Sequence, residues 1–122
     1  MCPRAVHLRS GESAESLAWI FLEKRGFKLI QKNFRAKVGE IDLIMKDRSC
    51  LVFVEVRYRK NQDFGGALAS ITASKQSRIR KTAQLFLQHN PNLDYEECRF
   101  DVIAISGIGE NTRIQWIDNA FQ

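Results

Sequence analysis

Two runs in the middle of the chain decide the fold: EIDLIMK at Glu40–Lys46 and LVFVEVR at Leu51–Arg57. Both are rich in β-branched and apolar residues, and the four residues between them predict a tight turn, so we expect two antiparallel strands. The turn pairs position 46 with position 51, which fixes every other pair and places Asp42 directly opposite Glu55. The other face of this predicted hairpin is expected to lie in the core and carries only apolar side chains: Ile41, Leu43, Met45, Val52, Val54 and Val56.

The opposed carboxylates of Asp42 and Glu55 call for compensation, because like charges directly across a strand pair are destabilising by roughly 0.2–1 kcal/mol. A divalent cation supplies this compensation, and hard oxygen ligands on rigid strands suit Mg²⁺ or Mn²⁺. The alternative is that Arg57, together with Arg35 or Lys37, neutralises the pair without a metal. The pattern alone leaves both interpretations open.

A helix and a strand are predicted before the hairpin. Ser10 is a suitable N-cap for the helix, and Gly26 supplies its C-terminal stop. Residues 27–35 then predict a strand. The helix is indicated by apolar residues that recur at helical spacing: Ala14, Leu17, Ala18, Phe21 and Leu22.

After the hairpin, residues 59–70 predict a loop, and Ser74 is expected to cap a second helix that ends near Asn90. One face of that helix carries Ile79, Ala83 and Phe86. Two final strands are predicted at 99–105 and 113–117. We therefore expect one α/β domain over residues 1–122, with its core at about 10–118 and a mixed central sheet flanked by helices in the order αβββαββ.

Composition excludes several classes of protein. The chain has 122 residues and a formal net charge of +5, a balance that favours polyanionic partners. Its longest apolar run is the six residues Leu17–Leu22, far below the roughly 20 that a membrane span requires. The three cysteines are widely separated, which predicts neither a disulfide framework nor a zinc site. We expect a cytoplasmic protein without a membrane partner.

Positive charge is concentrated between residues 57 and 81, a segment that contains seven basic residues and one acidic residue, Asp63. Such a cluster beside the carboxylates predicts a track for a nucleic-acid backbone, although a charged helix face is often only solvated. We expect Lys75 and Gln76 to lean over the sheet, and Arg78 and Lys81 to point outwards. The predicted nucleic-acid contacts are Arg57, Arg59, Lys60, Lys75, Gln76, Arg78 and Lys81, whereas Arg80 is expected to be solvated.

The spacing of the carboxylates resembles the PD-(D/E)xK nuclease motif: Asp42 lies thirteen residues before Glu55, which is followed by Val56 and Arg57. Gly11, Ala14 and Glu15 on the first helix are similar to a pattern in the archaeal Holliday junction resolvases. The resemblance implies a restriction endonuclease-like fold, a metal site of Asp42, Glu55 and Glu15 that binds Mg²⁺ or Mn²⁺, cleavage of structured or branched DNA, and a homodimer.

A closer resemblance is to the YraN family of small, uncharacterised bacterial proteins. It covers about residues 11–105. The motifs that carry it are GEIDL at 39–43, VFVEVR at 52–57, FG at 64–65, KQ-x-RI at 75–79 and RFDV at 99–102.

One departure from the nuclease motif bears on catalysis, because Arg57 occupies the position of the motif's lysine. A guanidinium stays charged and binds phosphate as a planar fork, so Arg57 is expected to clamp phosphate, or Lys60 to replace the lysine. Arg57 equally suits a structural pair with Glu40 across the strands. The alternative function is therefore a non-catalytic nucleic-acid-binding module. Phe64, in the loop, suits either base stacking or the core.

Three further residues are given structural roles. Asp101 lies two residues after Arg99 on a predicted strand, and we expect a salt bridge between them. Trp19 and Trp116 are expected to be core or rim aromatics.

Overall fold

The computed structural model describes residues 13–59, 69–107 and 109–122. Its helices and strands follow one another in the predicted order, αβββαββ. Their bounds are α1 (Ala14–Glu23), β1 (Lys28–Ala36), β2 (Gly39–Asp47), β3 (Cys50–Arg59), α2 (Ala73–His89), β4 (Glu97–Ser106) and β5 (Arg113–Phe121). Neither of these helices is long and apolar enough to cross a membrane.

The five strands form one mixed sheet in the order β1-β2-β3-β4-β5. Strands β3 and β4 are parallel, and every other neighbouring pair is antiparallel. Helix α2 lies between the two parallel strands in the chain, because parallel neighbours need a long crossover connection. The predicted α/β class and mixed sheet are therefore confirmed.

The two helices cover opposite faces of the sheet. Along β3, Val52 and Val54 pack with the buried face of α1, whereas Leu51 and Phe53 pack with Phe86 of α2. Alternating residues of a strand point to opposite faces, so β3 is buried on both sides and reads as a continuous apolar run.

Strand β2 changes faces at Asp42. Leu43 packs in the cluster under α1, whereas Ile41 packs in the cluster under α2, although residues two apart on a regular strand share a face. The change coincides with Asn33 of β1, which lies across from Asp42 between two ladder pairs and has a φ of 52°. The prediction that Ile41 shares a face with Leu43 is therefore wrong, and the irregularity places Asp42 where the strand changes sides.

Both helices are capped by other residues than those predicted. The Ser13 side chain accepts a hydrogen bond from Ser16 N–H at 3.1 Å and caps α1, whereas Ser10 lies outside the described residues. Thr72 caps α2 by accepting from Lys75 N–H at 3.2 Å. Ser74 lies within the helix, because the extended backbone that an N-cap requires occurs at Thr72.

Candidate functional site

Asp42 substitutes for a backbone acceptor at the end of the β2–β3 ladder. The paired residues run in the predicted register from Asp47–Cys50 to Leu43–Val54. One residue further along β2, Asp42 Oδ2 accepts a hydrogen bond from Val56 N–H at 2.8 Å. This bond fixes the carboxyl group beside the neighbouring strand.

Asp42 and Glu55 form a partly buried carboxyl pair. Burial, followed by the nearby Glu55 charge, raises the pKa of Asp42 to about 8, against the lowering effect of Val56 N–H. Burial also raises the pKa of Glu55, whereas Arg57, a hydrogen bond with Asp42 and Lys75 oppose that rise. Near neutral pH the pair therefore retains a proton, with Asp42 as the favoured carrier.

Glu15 is the third carboxylate near this pair. It lies in the first turn of α1 and is partly buried, and its charge contributes to the raised pKa of Asp42. The metal site of Asp42, Glu55 and Glu15 that the nuclease resemblance implies stays a prediction. Across residues 13–59, 69–107 and 109–122, no group of three or more His, Cys, Asp or Glu side chains is arranged to hold a metal ion by itself.

The Asp42–Glu55 pair nevertheless fits a Mg²⁺ or Mn²⁺ site of the open kind. Mg²⁺ keeps several waters and is commonly held by one or two carboxylates together with substrate phosphate. Two partly buried carboxyl groups with raised pKa values supply hard oxygen ligands, and a cation would relieve their repulsion once both are ionised.

Arg57 is held inside the site by two contacts. Its Nη1 lies 3.6 Å from Glu55 Oε2, and its Nε donates a hydrogen bond to Ser70 Oγ at 3.2 Å. The alternative structural pair with Glu40 is wrong, because Arg35 stands opposite Glu40 in the β1–β2 register and its Nε lies 3.2 Å from Glu40 Oε2. Arg57 therefore balances part of the charge of Glu55.

An open pocket of about 150 Å³ adjoins the pair. At the pocket rim Gly39 allows β2 to approach α2 closely, since a Cβ there would lie 3.0 Å from Thr82 Oγ1. Arg78 lines this pocket and is exposed. The lining residues are Gly39, Glu40, Glu55, Lys75, Arg78 and Ile79.

The other predicted nucleic-acid contacts are distributed more widely. Gln76 is engaged locally, because its Nε2 donates to Ile71 O at 3.1 Å. Arg59, at the end of β3, and Lys81, on α2, are exposed. The predictions for Gly11, Lys60, Asp63 and Phe64 lie outside the described residues. Arg80, expected to be only solvated, donates to the backbone carbonyl of Gln122 at 2.7 Å.

Sequence reasoning missed that Glu40 and Gly39 line the pocket, and it missed the positive charge of the segment that contains β1. Glu40 lines the pocket with Gly39, and the glycine immediately before the Glu-x-Asp run was the available signal. Residues 24–39 contain six basic residues and no acidic one, the same local charge as residues 57–81. Residues 57–81 are therefore one of two basic segments of the chain.

Asp101 has the structural role that the sequence predicts. It is fully buried, and its Oδ1 lies 2.9 Å from Arg99 Nε. It also accepts hydrogen bonds from Trp116 Nε1 and Asn119 N–H, each at 2.9 Å. Trp116 and Trp19 pack against the α1 cluster, as predicted. This buried carboxylate has a cationic partner, Arg99, and its hydrogen bonds join β4 to β5.

Comparison with known proteins assigns the family. Residues 14–105 match the uncharacterised protein family UPF0102. A UPF0102 protein of Nitrosococcus oceani is 46% identical over 97% of this chain and 95% of its own length. Another, from Pseudomonas putida strain GB-1, is 46% identical over 98% of both chains. The shared sequence thus includes the hairpin, both helices and most of β4, and the chain belongs to the UPF0102 family, the YraN family that its motifs resemble.

Proposed function

We propose that this protein binds nucleic acid at the pocket between β2, β3 and α2 and hydrolyses a phosphodiester bond there with a divalent cation. The observation that carries this proposal is the partly buried Asp42–Glu55 pair, which lies beside a pocket lined by Lys75 and Arg78. Carboxylates for a cation and basic side chains for a phosphate are the two components that metal-assisted phosphodiester hydrolysis requires.

Each side chain has a defined part in this proposal. Asp42 and Glu55, with Glu15 beside them, would hold Mg²⁺ or Mn²⁺, which when bound supplies Lewis-acid activation of water. Lys75 binds a phosphate oxygen at the pocket. Arg57, already oriented by Glu55 and Ser70, stabilises negative charge on the phosphate.

The proposed substrate is structured or branched DNA rather than RNA, and the proposed acting form is a cytoplasmic homodimer. The resemblance to junction resolvases supports this choice of substrate and assembly. The basic residues on α2 and at the end of β3 support an anionic polymer as the partner.

A second candidate function is a non-catalytic nucleic-acid-binding module. It is favoured by the engagement of Arg57 with Glu55 and Ser70, which occupies part of the guanidinium that replaces the motif's lysine. In this case the pocket binds phosphate, and the carboxyl pair has no chemical role.

Cleavage and binding of labelled four-way junction, duplex and single-stranded DNA distinguish the two candidates. We expect cutting in Mg²⁺ or Mn²⁺ but not in EDTA, and its loss in Asp42→Asn. The matched control is Asp118→Asn, which removes an exposed carboxylate from β5. Binding without cutting under every metal would favour the module, and the absence of both would refute the proposed function.

A further inference from the structure

The segment of residues 24–37, which contains the edge strand β1, carries a second set of basic side chains, separate from those on α2. Its six cations are all exposed: Lys24, Arg25, Lys28, Lys32, Arg35 and Lys37. Within the part of the chain that the structure describes, only Arg35 of these six forms a salt bridge. We call this surface the basic edge.

The basic edge begins beside the carboxyl pocket. In the β1–β2 register Ala36 pairs with Gly39 and Arg35 pairs with Glu40, and both partners line the pocket. From there β1 runs away from the pocket towards Lys28. The basic edge therefore runs from the pocket along the β1 edge of the sheet, with Lys28 on the face that α2 covers and Lys32 on the face that α1 covers.

The length of this surface suits a double helix. Residues 28 to 35 of a strand span about 23 Å at roughly 3.3 Å per residue. At about 3.4 Å per base pair, this distance corresponds to roughly seven base pairs of duplex. A mononucleotide or a short single strand would use only a fraction of it.

Two of the cations are held in place by aromatic side chains of α1. The Lys32 Nζ lies 4.7 Å from the centre of the Trp19 ring, and the Arg25 guanidinium carbon lies 3.7 Å from the centre of the Phe21 ring. These contacts restrict side chains that are otherwise flexible, which lowers the entropy cost of binding a phosphate.

The shape of β1 disfavours another protein strand as the partner. Its ladder with β2 shifts register between Leu29 and Gln31, and Asn33 has a positive φ. Such irregularities, together with lysines, block the addition of a further strand to a sheet edge. The surface is thus open to an anion but poorly suited to strand pairing.

We propose that the basic edge binds the phosphate backbone of a double-stranded arm that extends from the pocket. This inference rests on the proposed function, since it assigns to the same site a duplex of at least about seven base pairs. If the lysines served only to prevent strand addition at the open sheet edge, they would make no contact with a duplex.

The test is the affinity of the full chain for duplex DNA in EDTA, measured by fluorescence anisotropy across a salt series. Duplexes of about 6, 12 and 18 base pairs are compared with the double variant Lys28→Gln/Lys32→Gln. The charge-matched control is Arg48→Asn/Arg113→Gln, which removes two exposed cations outside the basic edge, one in the β2–β3 turn and one at the start of β5. Circular dichroism checks that all variants fold.

We expect wild-type affinity to rise by about tenfold between the shortest and the middle length, and the β1 variant to lose most of that gain. The slope of log affinity against log salt should fall by about 1 to 2 in this variant, since each lost phosphate contact contributes roughly 0.9. Wild-type binding with equal affinities for the β1 variant and the control would overturn this inference and leave the proposed function intact. Failure of the wild type to bind any duplex or junction would instead count against the proposed function.

Discussion

Asp42→Asn should stabilise the protein at alkaline pH in the absence of metal. The pKa of Asp42 is raised to about 8 in the folded protein, from an ordinary value of 3.8. At pH values between these two numbers, the folded state therefore holds a proton on Asp42 that the unfolded chain has released. By linkage, the free energy of unfolding falls as pH rises from about 4 to about 8 and is level above that range.

Asp42→Asn removes the pH dependence of the free energy of unfolding and keeps the hydrogen bonds of residue 42. Asparagine retains a carbonyl oxygen for Val56 N–H, and its amide nitrogen donates towards Glu55 as the protonated acid does. The full difference between the two pKa values corresponds to about 6 kcal/mol at roughly 1.4 kcal/mol per pH unit. Glu55 also titrates and can take up part of the repulsion, so the effect of Asp42 alone is smaller than this difference. We therefore expect about 2 kcal/mol of stabilisation at pH near 8.5.

Urea unfolding in EDTA, at pH values near 5.5 and 8.5, measures this difference. Asp118→Asn serves as the control, because its carboxylate is exposed. The wild type should be less stable at the higher pH, and Asp42→Asn should lose most of that difference. A variant less stable than wild type at pH near 8.5, with the control unchanged, would refute the argument that repulsion and burial strain this site.

Other substitutions probe the site and its supports. Addition of Mg²⁺ or Mn²⁺ at about ten times its Kd should raise wild-type stability by about 1.4 kcal/mol, and thermal shift should show no such rise in Glu55→Gln. If the protein is a nuclease, Arg57→Lys should restore the motif's ammonium and raise the cleavage rate by about tenfold, measured under single-turnover conditions with the binding constant determined in parallel. Asp101→Asn leaves Arg99 without its buried partner, so urea unfolding should show a loss of about 3 kcal/mol. Gly107→Ala should lower the melting temperature by at least about 5 °C, because Gly107 has a φ of 86° and a Cβ there would clash with the backbone oxygen of Asn111.

The sequence alone determined the central hairpin and most of the element order. The register of β2 and β3 follows from a short turn and strand alternation, and the ladder has that register from Leu43–Val54 to Asp47–Cys50. The salt bridge of Asp101 with Arg99 was equally accessible, because the partners are two residues apart on one strand. Contacts between residues close in sequence, or paired through one turn, are fixed by local geometry.

The tertiary structure decided which residues share the pocket. Arg78 lies on α2 and Gly39 on β2, and only the packing of the crossover helix on the sheet brings them together. The partner of Glu40 was likewise decided by β1, which places Arg35 opposite it. The basic edge was visible as a run of cations in the sequence, but its position beside the pocket was not.

The charge state of the site was also a tertiary property. Sequence pattern placed Asp42 opposite Glu55, which established that two carboxyl groups meet. Their raised pKa values depend first on burial, and α1 and α2 cover the two faces of the sheet in which the pair lies. The sequence by itself thus determined which acids face each other, whereas the packing of distant segments around them decided how strongly they hold a proton, because desolvation depends on everything that excludes water from the site.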